Sequence, residues 1–217
     1  MLKTKTGSFG YAQDDGGERD DFSRAYVKLR IFDEFAKLGS KLNGKVVLDV
    51  GSSTGGFTEF ALEKGAKKVI AVEIGSRQMV PELALDKRVK LYEKTDILNV
   101  VSEKADEKLK ENNKVIQVPD VVVMDVSFTG CREILKHLCT NLLTKSSAVV
   151  LLFKPQFEAY DNELNKGIIK NSKTRRLIIK EFEQWLPKNG FAIEVKQDSG
   201  LAGSKGNVER FYVLRTT

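Results

Sequence analysis

A chain of 217 residues, 41% hydrophobic and 30% charged, is long enough to bury a full core and has the balance of an ordinary globular domain. No apolar run approaches the roughly 18 residues of a membrane-spanning helix, and two cysteines are too few for a disulfide scaffold. The net charge of +6 permits attraction to polyanions, nucleic acid above all, without naming one.

In chain order, residues 1–22 are polar, rich in Gly and Asp and without periodicity. They read as a mobile tail that carries no secretory signal, which leaves one domain over 23–217 in a cytoplasmic protein. From Ser23, "SRAYVKLRIFDEFAKLG" spaces Leu29, Phe32, Phe35 and Leu38 at three-residue steps, with Ser23 as the candidate N-cap and Gly39 as the stop. An amphipathic helix is expected there.

Beyond Gly44 come the short β-branched runs "KVVLDV", "KKVIAVEI", "VKLYE", "DVVVMDVSF" and "SAVVLLF", separated by segments of helical length. Runs that are apolar throughout belong to strands covered on both faces, so the pattern predicts a Rossmann-like, doubly wound α/β fold with a mainly parallel sheet. After an expected helix over 172–186, "FAIEVKQ" and "NVERFYVLRT" follow one another with no helix between them. They predict an antiparallel pair at the C-terminal edge of the sheet. Cys131, His137 and Cys139 fall within a helical pattern where Cys is commonly a small buried hydrophobe, and a zinc site needs about four ligands, so no metal is expected.

The stretch "LDVGSSTGGFT", 48–58, has three glycines and four hydroxyl residues behind the first apolar run. A phosphate-binding P-loop needs Lys after its last glycine, and here Phe57 follows Gly56. A dinucleotide fingerprint needs its second glycine two positions after the first, and that position is Ser53 between Gly51 and Gly55. The remaining candidate is a nucleoside ligand without a phosphate chain, and S-adenosylmethionine fits: Asp49 would meet its ammonium, and the loop through Gly51, Ser53, Gly55, Gly56 and Phe57 would cradle it. Glu73, ending the next run, would accept from its ribose hydroxyls, and Asp96 in "EKTDILN" from its adenine amino group. Ligands of open α/β sheets bind at these carboxyl ends.

Two further strand ends carry Asp125 in "MDVSF" and Lys154 in "LFKPQFE". Lys directly behind an apolar run is costly unless it is paired or used, because burial disfavours its charge. Lys28 interrupts the apolar stretch of the first helix, and Glu209 in "GNVERF" opens the last strand.

Together, "LDVGSSTGGFTEFALEKGAKKVIAVEIG", "DVSF", "KPQFE" and "GNVERF" resemble the TlyA family of ribosomal RNA 2′-O-methyltransferases, often labelled hemolysins, within the FtsJ-like group. The resemblance implies a seven-stranded S-adenosylmethionine-dependent methyltransferase fold acting on ribosomal RNA or a ribosomal subunit. It also implies a Lys-Asp-Lys-Glu tetrad, carried here by Lys28, Asp125, Lys154 and Glu209. Lys154 would be the base toward a ribose hydroxyl and Lys28 its tuning or orienting partner, with the two carboxylates as positioners. Two departures stand out. The family's usual N-terminal S4 RNA-binding domain is not formed by the polar residues before 23, and its "SRGG-x-KL" reads "SRAYVKL", with Ala25 and Tyr26 in place of two glycines. RNA capture then falls to the domain's own basic surface, of which "KNSKTRR", 170–176, is the densest run, or to a partner. A non-catalytic RNA-binding or ribosome-associated module on the same fold is the competing reading, and the hemolysin label gains no support from any apolar span or evident amphipathic anchor.

Overall fold

The computed structural model describes residues 20–169 and 171–217, so 1–19 of the expected tail and Lys170 lie outside the described residues. Helix α1 (Asp20–Ala36) starts before Ser23, which therefore falls inside the helix rather than capping it. Leu29 and Phe32 are buried as expected, but Phe35 is 59% exposed. Three-residue steps lag a 3.6-residue turn by about 60° each, which carries Phe35 off the buried face. Leu38 is buried nonetheless, because the helix ends at Ala36 and Lys37 turns the chain with a left-handed φ of 53°.

A short helix α2 (Gly39–Leu42) leads to strand β1 (Val46–Val50), helix α3 (Gly56–Glu63), strand β2 (Lys68–Val72), the single turn α4 (Pro81–Ala84) and strand β3 (Val89–Tyr92). A separate parallel pair, β4 (Val100–Ser102) and β5 (Lys114–Ile116), brackets the one-turn helix α5 (Glu107–Lys110). Strands β6 (Val121–Met124) and β7 (Ala148–Phe153) flank α6 (Cys131–Asn141). The hairpin β8 (Leu164–Asn165) and β9 (Ile168–Ile169) precedes α7 (Ser172–Trp185), and β10 (Phe191–Asp198) and β11 (Arg210–Thr216) come last.

Seven strands form one sheet in the order β10-β11-β7-β6-β1-β2-β3. The five from β7 to β3 pair in parallel, while β11 runs antiparallel to both β7 and β10. The expected seven-stranded α/β architecture with an antiparallel C-terminal pair is therefore the observed one. The two small pairs β4–β5 and β8–β9 were not expected from the sequence, being too short to show a period.

Alternate residues of each central strand enter different cores, which is why these strands read as unbroken apolar runs. Leu48, Val122, Val149 and Leu151 pack with Leu135, Leu138 and Phe182 of α6 and α7. Val47, Val123, Val150 and Leu152 pack with Leu29, Phe32, Phe57 and Phe60 of α1 and α3. Stacked rings tie each layer to the sheet, Phe153 to Phe182 with centroids 4.1 Å apart and Phe32 to Phe211 at 4.6 Å. Cys131 belongs to the first core, where burial above all, with Glu158 beside it, pushes its thiol well above the ordinary range. His137 Nε2 meets the Val100 carbonyl at 2.7 Å. No helix among the described residues is long and apolar enough to cross a membrane.

Strand order reverses at β1, whose neighbours are β2 on one side and β6 on the other. In a doubly wound sheet the crevice beyond the carboxyl ends at such a switch point is where ligands bind.

Candidate active site

The chain leaving β1 turns at Gly51 with a φ of 76°, and the Gly51 and Ser52 N–H groups donate to the Val72 carbonyl at 3.0 and 3.3 Å, pinning the loop over β2. A Cβ on Gly51 would stand 3.0 Å from the Asp125 carbonyl oxygen and 3.2 Å from Val126 Cγ1. Only glycine lets the loop after β1 approach the loop after β6 this closely while holding that φ. Ser53 holds a φ of 46°, donates its N–H to Glu73 Oε2 at 2.8 Å and its hydroxyl to Gln78 Oε1 at 3.1 Å.

Glu73 is 8% exposed at the end of β2. Its second oxygen accepts the Gly75 N–H at 2.7 Å, so the carboxylate braces two turns at once. Each oxygen retains a further lone pair for a ligand hydroxyl. Asp96 caps a short 3-10 turn by accepting from the Leu98 N–H at 2.9 Å.

Gly51, Ser53, Gly56, Phe57, Glu73 and Asp96 all line one cleft of about 960 Å³. That volume lies near the upper end of the range usual for small-molecule sites. Two of the expected ligand residues sit elsewhere. Asp49 is fully buried on the α3 side of β1, where Oδ2 accepts from the Thr58 hydroxyl at 2.7 Å, and it does not line the cleft. Its side chain points to the layer opposite Leu48 and Val50, as strand alternation requires. Burial pushes the Asp49 carboxyl up to about 7, with the like charges of Asp125 and Glu73 adding to the rise and the Thr58 bond opposing it. Gly55 faces α4 instead, since a Cβ there would meet Leu83 Cδ1 at 2.6 Å. It seats α3 against α4.

The other wall of the cleft carries charge. Lys154 Nζ lies 2.6 Å from Asp125 Oδ1 and donates to Ser127 Oγ at 2.6 Å. Lys28 Nζ lies 2.8 Å from Glu209 Oε2, and both residues are buried. Gln156 Nε2 reaches the other Glu209 oxygen at 3.4 Å. All four charged residues line the same cleft as the glycine loop, and each lysine has its own carboxylate.

The substituted "SRAYVKL" segment presents Lys28 to this cleft, because Tyr26 turns inward, edge-on to Phe60 at 6.0 Å with its hydroxyl donating to Glu63 Oε2. Tyr26 thus fills the space between α1 and α3 and leaves the neighbouring face of α1 to Lys28. Asn207 closes the far side, its Nδ2 donating to the Gly167 carbonyl at 2.9 Å and its Oδ1 accepting from the Ile169 N–H at 3.1 Å. That clasp ties the β8–β9 hairpin to the segment before β11.

Sequence reasoning passed over several lining residues: Ser52, Ile74, Gln78, Leu98, Phe128 and Gln156. Ile74 directly follows Glu73 and is 72% exposed, so its position one step beyond a strand end expected to meet a ligand was the available signal. Phe128 is 92% exposed at a φ of 64°, its ring 5.6 Å from that of Phe157. A bulky exposed residue in that backbone region has no local sequence signature.

Residues 22–216 match the FtsJ-like methyltransferase family. The chain is 35% identical to the 23S rRNA (cytidine-2′-O)-methyltransferase TlyA of Campylobacter jejuni, over 88% of this chain and 69% of that protein. It is 34% identical to Hemolysin A of Brachyspira hyodysenteriae, over 86% of this chain and 73% of that one. A solved hemolysin-named structure from Lactococcus lactis superposes with a TM-score of 0.79 at 32% identity, covering 89% of this chain and 88% of the other. The crevice at the switch point, the glycine turn and these matches agree, and the chain belongs to the FtsJ-like methyltransferases, beside the TlyA proteins.

Proposed function

We propose that the protein transfers a methyl group from S-adenosylmethionine to a ribose 2′-hydroxyl of ribosomal RNA. The observation that carries this reading is the meeting of two lysine–carboxylate pairs, Lys154 with Asp125 and Lys28 with Glu209, on the cleft that also holds the glycine turn and Glu73. The 2′-O-methyltransferase activity named for the Campylobacter relative supports it.

When bound, S-adenosylmethionine supplies an electrophilic methyl group on its sulfonium. Glu73 accepts from ribose hydroxyls through the lone pairs that Ser53 and Gly75 leave open, and Asp96 accepts from the adenine amino group. The Gly51 turn lets the backbone approach the ligand, while Asp49 acts from beneath the loop through Thr58 and not on the ammonium.

A ribose hydroxyl is a poor nucleophile and must lose its proton as the methyl arrives. Lys154 is the group placed to take that proton at Nζ, and Asp125 and Ser127 fix the direction in which Nζ points. Lys28 orients the acceptor nucleotide, and Glu209 balances its charge in a site that excludes most water.

The test is transfer of a labelled methyl group from S-adenosylmethionine to unmodified ribosomal RNA and to intact small and large subunits, with Lys154→Ala as control. The expected result is label on a ribose 2′-oxygen that the variant does not produce, with cofactor binding retained. Cofactor binding without labelling of any RNA would reject the reading in favour of a non-catalytic RNA-binding module.

A further inference from the structure

The sheet has a second end, and it too is charged. At the amino ends of β1, β2 and β3, opposite the cleft, Lys67, Lys68, Lys87, Arg88, Lys90 and Gln117 surround a depression of about 420 Å³. Strand register brings them together, with Lys68 paired to Val46, Val69 to Val89 and Lys90 to Ile70 in neighbouring rows. Lys67, Lys87 and Lys90 are exposed.

Among the described residues, Arg88 is the only one of these five cations in an ion pair within 4.0 Å, with Asp86 at 2.6 Å, and beside the Arg88 bond the charge of Lys87 also helps to hold the Asp86 carboxyl below its usual range. What sets the patch apart is the gathering of five cations around one depression, with Lys67, Lys87 and Lys90 exposed. The nearby Asp120 is turned to the Val46 N–H, which it accepts at 2.8 Å. Toward the edge of the sheet, Lys90 and Lys114 converge on one ring, 5.0 and 4.5 Å from the centroid of Tyr92.

Lysine on an edge strand commonly serves to block pairing with another sheet. That accounts for Lys90 on β3 but not for Lys67, which precedes the interior strand β2, nor for Lys87 in the turn before β3. Cations gathered within about one Debye length, roughly 8–10 Å, repel one another and are stabilised by a polyanion that bridges them.

We propose that this amino-end patch is a second RNA-docking surface, which grips phosphates of the RNA whose ribose enters the cleft. It rests on the transfer reading above only for the identity of the polyanion. Ammonium groups on flexible stems meet phosphates as point charges and read no sequence. The patch therefore supplies affinity and leaves base choice to the cleft. A five-residue strand such as β2 spans about 17 Å, so an RNA that touches both ends of the sheet is a folded one and not a short single strand.

The experiment uses Lys67→Gln/Lys87→Gln/Lys90→Gln, with Lys87→Gln alone as a milder variant. Affinity for a structured, unmodified ribosomal RNA fragment is measured across a salt series, beside cofactor affinity and methyl transfer. The triple variant is expected to bind RNA about 10-fold or more weakly at low salt, with the log–log salt slope reduced by about two to three; the single variant should lose about one. KM for RNA should rise, while kcat and cofactor affinity hold.

Unchanged RNA affinity and slope in the triple variant would overturn the proposal and leave these lysines as a solvated rim. So would a loss confined to binding of anionic phospholipid vesicles, tested in parallel. Lys154→Ala separates the two readings. It should bind RNA as the wild type does without transferring methyl, so a failure of the transfer reading leaves the docking measurement intact.

Discussion

The half of the cleft around Glu73 comes from one stretch of chain, 51–98, and is braced by backbone N–H groups: Gly51 and Ser52 on the Val72 carbonyl, Ser53 and Gly75 on Glu73, Leu98 on Asp96. The half around Lys154 is assembled from α1, the loops after β6 and β7, and the turn before β11, and it is held by side-chain charge. Lys28 and Glu209 are 181 residues apart in sequence. Backbone bracing fixes a shape that many side chains tolerate, whereas a buried charge pair leaves an exposed liability when either member is lost. The two halves should therefore fail in different ways.

The largest effect is expected at Lys154. Lys154→Ala should lower transfer by about 10²–10⁴-fold, the range of a lost general base, while S-adenosylmethionine affinity changes less than about threefold. A matching loss of cofactor affinity would erase the division between the halves. Next comes Glu209→Ala, which leaves the Lys28 ammonium buried and alone and should cost about 3–5 kcal/mol in denaturant unfolding. Lys28→Met/Glu209→Leu should recover most of that stability without recovering transfer. If the double variant is as unstable as the single one, packing and not charge governs this wall.

Asp49 sharpens the comparison through pH. Its folded value, about 7, lies above the 3.8 of an ordinary Asp carboxyl, so between about pH 4 and 7 the folded state keeps a proton that the unfolded chain has released. Stability contributed by this group is then present below that window and falls as pH rises through it. At 1.36 kcal/mol per pH unit the full change approaches about 4 kcal/mol. Asp49→Asn keeps an acceptor for Thr58 and cannot ionise, so its stability relative to wild type should climb across the window. Parallel pH profiles for the two proteins would remove Asp49 as the source.

The smallest of these effects belongs to Glu73. Glu73→Ala unties Ser53 and Gly75 and removes the proposed ribose acceptor, so the cofactor Kd should rise about 10–100-fold, in keeping with one or two lost charge-assisted bonds. Transfer at saturating cofactor should stay within about threefold of wild type. A drop in kcat of the size expected for Lys154→Ala would mean that Glu73 shapes the acceptor half as well.

Much of the fold was legible because its signals are local. The apolar runs mark the seven strands of the main sheet to within a few residues at each end, and Glu73, Asp125 and Lys154, which follow β2, β6 and β7, fall on one rim. The glycine spacing set aside a P-loop and a dinucleotide fingerprint and left S-adenosylmethionine, the cofactor of the methyltransferase family to which the chain belongs. The departures all concern direction in space. Phe35 follows the spacing of its neighbours yet points outward, Asp49 ends the right strand on the wrong face, and Gly55 serves helix packing while Gly51 serves the cleft.

By itself, then, the sequence determined the succession of the main-sheet strands along the chain, the turn that opens the cleft, and which residue types stand at each of those strand ends, because periodicity and turn chemistry act over a few residues. Only the tertiary structure decided that Lys28 pairs with Glu209 and Lys154 with Asp125, that Tyr26 turns inward to free the face of α1 that bears Lys28, and that several lysines gather at the far end of the sheet. The reason is physical. Whether a charge is buried, paired or left facing solvent depends on chain segments that meet only after the sheet has formed, and no local pattern carries that information.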